Sequence, residues 1–152
     1  MSRPLRILLS NDDGVSAPGL AALARALRPL GEVAVIAPEH NWSAGGHSKT
    51  MHKPLRVTPA RLADGSPAQA SNGSPSDCVA LALLGLMEKP DLVVSGINTG
   101  ANIGSDLTYS GTVSAAMEAV LSGVPGLAVS VNSPAPQDYE PAAAFAAIVA
   151  AR

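Results

Sequence analysis

Asn11-Asp12-Asp13-Gly14 sets two carboxylates side by side just after a short apolar run, Ile7-Leu8-Leu9-Ser10. Adjacent negative groups repel unless a cation lies between them. Oxygen donors of this kind suit Mg²⁺, Mn²⁺ or Ca²⁺. The same residue types also form ordinary turns, so the segment alone fits a plain turn equally well. Three further segments carry donors. In Glu39–Ser48, Ser43 can offer a hydroxyl to a metal, Gly45 and Gly46 let backbone amides approach an anion, and His47 can line a pocket; a surface loop also accounts for it. In Ser95–Gly104, Asn98 and Asn102 bear side-chain oxygens able to coordinate metal or bond substrate. Its glycines do not follow the dinucleotide spacing G-x-G-x-x-G, and no Walker lysine is present. In Tyr109–Ser114, Ser110 can cap a helix whose free amides attract an anion, Gly111 permits close approach, and the Ser110 and Thr112 hydroxyls add bonds. Together the four segments fit metal-assisted chemistry on a phosphate ester.

The chemistry needs elements that bring these segments to one edge. Arg6–Ser10 reads as a buried strand, Gly19–Leu30 as a helix with Leu20, Leu23, Ala24 and Leu27 on one face, and Gly31 as its C-terminal stop. Glu32–Ala37 reads as a second strand. Leu55–Thr58, Arg61–Leu62 and Gln69–Ala70 read as short antiparallel strands around the turn Asp64-Gly65. Ser76–Met87 is a helix with Val79, Ala82, Leu83 and Leu86 inward and Pro75 in its first turn. Leu92–Ser95 is a buried strand and Gly96–Ser110 a long loop, within which Ser105-Asp106 reads as a turn near the same donors. Helix Gly111–Ser122 follows, with an apolar face of Val113, Ala116, Met117, Val120 and Leu121. Gly126–Val131 is a strand, and Pro141–Arg152 begins an alanine-rich helix still running where the chain stops. Strands alternating with helices predict an α/β fold with a mostly parallel sheet covered on both faces. Ligands of such sheets bind at the carboxyl ends of the strands, where all four segments fall.

Composition narrows the partners. The chain has 152 residues, enough for one domain, and 47% are apolar. Aromatics make up 3% and the formal net charge is −2, which argues against a nucleic-acid platform or a basic membrane surface. No run reaches the length of a membrane span. One cysteine, Cys78, and no signal-peptide pattern lead us to expect a cytoplasmic protein. His40, His47 and His52 lack zinc-site spacing. Lys49 reads as a solvated side chain able to steer an anion, and Trp42 as either a cover for the site or surface packing.

Leu8–Gly14, Ala17-Pro18-Gly19, Ala37-Pro38, Ser43, Asp77-Cys78, Pro90–Asn98 and Tyr109–Val113, in that order, resemble the survival protein E (SurE) family of nucleotidases. The resemblance implies a Rossmann-like three-layer sandwich, here a single catalytic domain over residues 1–152. It implies a divalent-metal-dependent phosphatase for nucleoside 5′- and 3′-monophosphates, with polyphosphate a substrate of some members. It places one Mg²⁺ or Mn²⁺ on Asp12, Asp13, Ser43 and Asn98, with Asp12, Asp13 and Asn98 catalytic. Asn102, Ser110, Gly111 and Thr112 match the family's phosphate-contacting region. Family members continue beyond this chain's end with a portion that builds dimers and tetramers, so a homodimer or homotetramer is expected and its form left open. Either a water or Asp12 itself can be the nucleophile. Two rivals remain: a nucleotide-binding module without catalysis, and a receiver-like signalling module, which would need a further acceptor aspartate and a late lysine where this chain has Ser95–Asn98 and Ser130-Val131-Asn132.

Overall fold

The computed structural model describes residues 3–42, 45–133, 135 and 138–152. Strand β1 (Leu5–Ser10) lies near the middle of the sheet, and its Ile7, Leu8 and Leu9 are wholly buried. Successive side chains alternate between faces, so Ile7 and Leu9 join one core cluster and Leu8 the other. Helix α1 (Pro18–Leu27) has proline in its first turn and buries Leu20, Leu23, Ala24 and Leu27, the face that the periodicity predicts. A 3₁₀ turn (Arg28–Leu30) leads into β2 (Gly31–Pro38). A hairpin follows, β3 (Val57–Arg61) and β4 (Pro67–Ser71), antiparallel around Asp64-Gly65. Then come α2 (Pro75–Leu81), β5 (Leu92–Thr99), α3 (Gly111–Leu121), β6 (Gly126–Val131) and α4 (Glu140–Ala150).

The six strands lie in the order β3-β4-β2-β1-β5-β6, and every pairing but β3 with β4 is parallel. Residues of α1 and α4 pack in one core cluster, residues of α2 and α3 in the other. The result is an α/β three-layer sandwich. From β1 the chain first builds outward through β2, then returns to lay β5 against the other side of β1. Strand order reverses between β1 and β5. A crevice opens at such a reversal, beyond the carboxyl ends of the two strands.

Three expectations change, and one gains a second reason. Gly31 caps the helical run that ends at Leu30, as expected, and is also the first residue of β2, opposite Leu5, where a Cβ would fall 2.1 Å from the Leu5 carbonyl oxygen. Close strand contact, rather than a left-handed turn, demands that glycine. The helix from Ser76 gives way after Leu81 to a π turn (Ala82–Leu86) that is kinked at Gly85, with φ 131°, and Leu86 is exposed. Strand β5 continues through Asn98 to Thr99, with an irregularity against β6 between Ser95 and Asn98, so Asn98 sits on a strand end and not in a loop. In α3 the polar and small residues Ser114, Ala115, Glu118 and Ala119 face inward, while Met117, Val120 and Leu121 are exposed.

Candidate metal and phosphate site

The carboxyl ends of β1 and β5 and the start of α3 enclose a pocket of about 280 Å³ lined by Asp12, Asp13, Asn98, Asn102 and Ser110, with Asp106 and Tyr109 along its side. A larger cleft of about 450 Å³ lies at the amino ends of β1 and β2, around Arg6, Glu32 and Glu88, where Arg6 already pairs with Glu88. The reversal-point pocket therefore carries the convergent, uncompensated donors.

Asp12 is buried at 4% exposure, and the Thr112 hydroxyl donates to its Oδ1 at 2.6 Å. Gly111 makes this contact possible: a Cβ on it would fall 2.7 Å from the Asp12 Cβ. Asp13 is half-buried, and the Thr99 amide points toward its Oδ2 at 3.4 Å. Burial pushes the Asp13 carboxyl up from its ordinary range and the neighbouring Asp12 charge adds to this; the Thr99 amide pulls the other way. Among the described residues no lysine, arginine or histidine lines the pocket. The two carboxylates are thus held together without a protein cation between them.

Asn98 supplies a third donor. Its amide nitrogen donates to the Gly100 carbonyl at 3.0 Å and to Asn102 Oδ1 at 3.3 Å. With the nitrogen spent there, the side-chain oxygen remains for a cation. Two carboxylates and an amide oxygen form a hard, all-oxygen donor set, which fits Mg²⁺ or Mn²⁺ and does not favour a soft metal. Among the described residues no three His, Cys, Asp or Glu side chains are grouped to share one ion, so the fit rests on the pair plus Asn98. Ser43, the fourth expected ligand, lies outside the described residues.

Of the phosphate-contacting set, Asn102 and Ser110 line the pocket. Ser110 caps α3, its Oγ accepting from the Val113 amide at 3.2 Å. Among the described residues no partner is seen for the Gly111 and Thr112 amides, the first donors of the helix. The Thr112 side chain turns to Asp12 instead of into the pocket.

The second loop is fastened to the same elements. The Trp42 amide donates to the Asp12 carbonyl at 2.7 Å and the Gly46 amide to the Tyr109 carbonyl at 3.0 Å. His47 does not line the pocket. Its Nε2 lies 2.9 Å from Glu118 Oε2, and Lys49 donates to Oε1 of the same carboxylate at 2.5 Å. Burial, the largest influence on Glu118, pushes its carboxyl up, but the bonds from Lys49 and His47 outweigh it and hold it below the ordinary range. An ionised Glu118 can only accept, which makes His47 Nε2 the donor. Further along, Thr50 donates through its amide and hydroxyl to Asp77, whose carboxylate also closes a capping box with Ser74. Neither Glu118 nor Thr50 stands out in the sequence: each lies far along the chain from its partner, with no local pattern to mark it.

A family model described as "Survival protein SurE" matches residues 7–152. A protein of Chloroflexus aggregans named 5′-nucleotidase SurE is 58% identical over 143 residues, covering 93% of this chain and 56% of the relative. One of the same name from Herpetosiphon aurantiacus is 63% identical over 128 residues, covering 84% of this chain and 50% of the relative. The crystal structure of the SurE protein from Aquifex aeolicus superposes with a TM-score of 0.86 at 41% identity, over 95% of this chain and 58% of that one. The chain spans about half the length of these relatives. Sequence, sheet order and the reversal-point pocket agree, and the chain belongs to the SurE family.

Proposed function

We propose that this chain carries the catalytic pocket of a divalent-metal-dependent phosphatase that hydrolyses nucleoside 5′- and 3′-monophosphates. The observation that carries the reading is a carboxylate pair with no cation beside it among the described residues, next to an amide oxygen, at the sheet's reversal point. The relatives' names, 5′-nucleotidase, support the substrate class. Polyphosphate and 3′-nucleotides enter through the family resemblance alone. Among the described residues no helix is long and apolar enough to cross a membrane.

In this reading Asp12, Asp13 and Asn98, together with Ser43, hold one Mg²⁺ or Mn²⁺. Such an ion supplies Lewis acidity at the phosphoryl group and acidifies water. The chain's own residues do the rest. Thr112 fixes one Asp12 oxygen, so the carboxylate meets its ligand without reorganising. Asn102, Ser110 and the amides of Gly111 and Thr112 receive the phosphoryl oxygens, where the positive end of the α3 dipole adds attraction as charge builds. Asp12 is buried with one oxygen already bonded, which favours a ligand role for it and a water as the nucleophile. We include a homodimer or homotetramer in the proposal, supported by the exposed apolar side chains of Met117, Val120 and Leu121.

The test is phosphate release from AMP and GMP with Mn²⁺, with Mg²⁺ and with excess EDTA. Metal-dependent release separates the enzyme from a binding module. Release undiminished by EDTA refutes the metal assignment, and binding without release supports the non-catalytic rival.

A further inference from the structure

Asp106 is a third carboxylate on the pocket wall, and the phosphatase reading gives it no task. It lies on the 3₁₀ turn Gly104–Thr108, and the Tyr109 amide donates to its carbonyl at 3.1 Å. Residues three apart eclipse one another in such a turn, so carboxylate and ring stand on one edge, and both border the pocket. Among the described residues the Asp106 carboxylate takes no hydrogen bond and no ion pair. It is also not grouped with Asp12 and Asp13 as a shared metal cage. An ionised carboxylate only accepts hydrogen bonds, and it repels a phosphate dianion. Asp106 is exposed, so water meets the carboxylate in the free chain; a ligand part that replaces this water would be donor-bearing and uncharged or cationic.

The place of Asp106 and Tyr109 on the wall beside Ser110 points to a part of the ligand next to the phosphate. Ser110 opens the helix whose amides suit the phosphate; Tyr109 and then Asp106 lead away from it. The pocket's 280 Å³ would hold about nine waters at ~30 Å³ each, well beyond a phosphate alone. Tyr109 is 64% exposed, so its ring has a face open to a ligand. A sugar with neighbouring hydroxyls offers a carboxylate paired donors, the arrangement by which acidic side chains hold ribose in dinucleotide sites.

We propose that Asp106 and Tyr109 form the nucleoside side of this pocket, the carboxylate accepting from the ribose 2′- and 3′-hydroxyls and the ring packing on the sugar or base. This rests on the phosphatase reading and adds the feature that distinguishes a nucleotide from any other phosphate ester. Asp106 is a specificity residue here, and the metal and phosphate positions are independent of it.

The experiment compares kcat/KM for AMP and for 2′,3′-dideoxy-AMP, with AMP binding in Mn²⁺ followed by calorimetry, on the native chain and on Asp106→Ala, Asp106→Asn and Tyr109→Ser. The native chain should prefer AMP by roughly tenfold to a hundredfold, the range of one to two hydrogen bonds to a charged group. Asp106→Ala should erase that preference through KM, and Asp106→Asn, which keeps one acceptor, should keep part of it. Tyr109→Ser should weaken both nucleotides alike. A native chain indifferent to the hydroxyls, or a preference that survives Asp106→Ala, overturns the assignment. So does a rise in the Mn²⁺ concentration needed by Asp106→Ala, which would make Asp106 a metal residue. If the native chain neither cleaves nor binds AMP, the phosphatase reading itself falls; if it handles AMP but ignores the hydroxyls, only Asp106 loses its role.

Discussion

Glu118 and the Asp12–Asp13 pair are both carboxylate sites set against helix α3, and the protein treats them in opposite ways. Glu118 receives two donors from the second loop, Lys49 and His47, and its carboxyl is held below the ordinary range. Among the described residues the pair at the end of β1 receives neutral donors only, from Thr112 and Thr99, and the Asp13 carboxyl is held above the ordinary range. One site is complete within the chain and fastens a loop. The other keeps unrelieved negative charge at a pocket mouth, and folding gains nothing by that. Carboxylates left uncompensated on a rigid strand end are positioned for a cation that arrives from solution.

Substitutions should separate the two sites by sign. Asp13→Asn should reduce phosphate release at least a hundredfold, the loss of several kcal/mol of metal-assisted stabilisation. In EDTA the same change should raise the melting temperature by roughly 2–4 °C, about 1 kcal/mol from relief of the buried charge and of its repulsion by Asp12. Loss of activity with no gain in apo stability would mean that the pair is not strained. Thr112→Val keeps the shape and deletes the donor to Asp12; metal affinity should fall about 10–100-fold, as for other partners of ligating carboxylates. Glu118→Gln should do the reverse of Asp13→Asn: a melting temperature lower by a few degrees, about 1–2 kcal/mol, because Lys49 is partly exposed and screened.

Acid sharpens the contrast further. Glu118 is depressed, so its contribution is complete above the usual glutamate value near ~4.3 and is lost as pH falls through its lower folded value. Asp13 is raised, so its cost to the apo protein sets in as pH climbs from the usual aspartate value, near ~3.9, through its higher folded value. Metal binding, which needs the ionised form, should weaken as pH falls through that same raised value. Thermal melts from pH 3 to pH 8, with and without Mn²⁺, read both effects; parallel curves for native chain and Asp13→Asn would remove the distinction.

The sequence exposes one of these sites and hides the other. Asp12 and Asp13 are adjacent and follow an apolar strand, so order along the chain already places them at a sheet edge. Asn98 and Ser110 are legible for the same reason. Glu118 sits mid-helix, and its partners arrive from a loop about seventy residues earlier; no local period announces such a pairing. The orientation of α3 is hidden too. Size and hydropathy favour Met117, Val120 and Leu121 as its core face, yet close packing on a crowded sheet selects Ala115 and Ala119. At Gly31 the helix end is legible, but the close approach to Leu5 is not, because that neighbour lies on another strand.

Calorimetric titration of the apo chain with Mn²⁺ decides whether the carboxylate pair holds a metal ion. One ion should bind per chain and raise the melting temperature, and both effects should be lost in Asp13→Asn while Glu118→Gln still binds. No Mn²⁺ uptake by the native chain, or uptake unchanged by Asp13→Asn, would contradict that assignment.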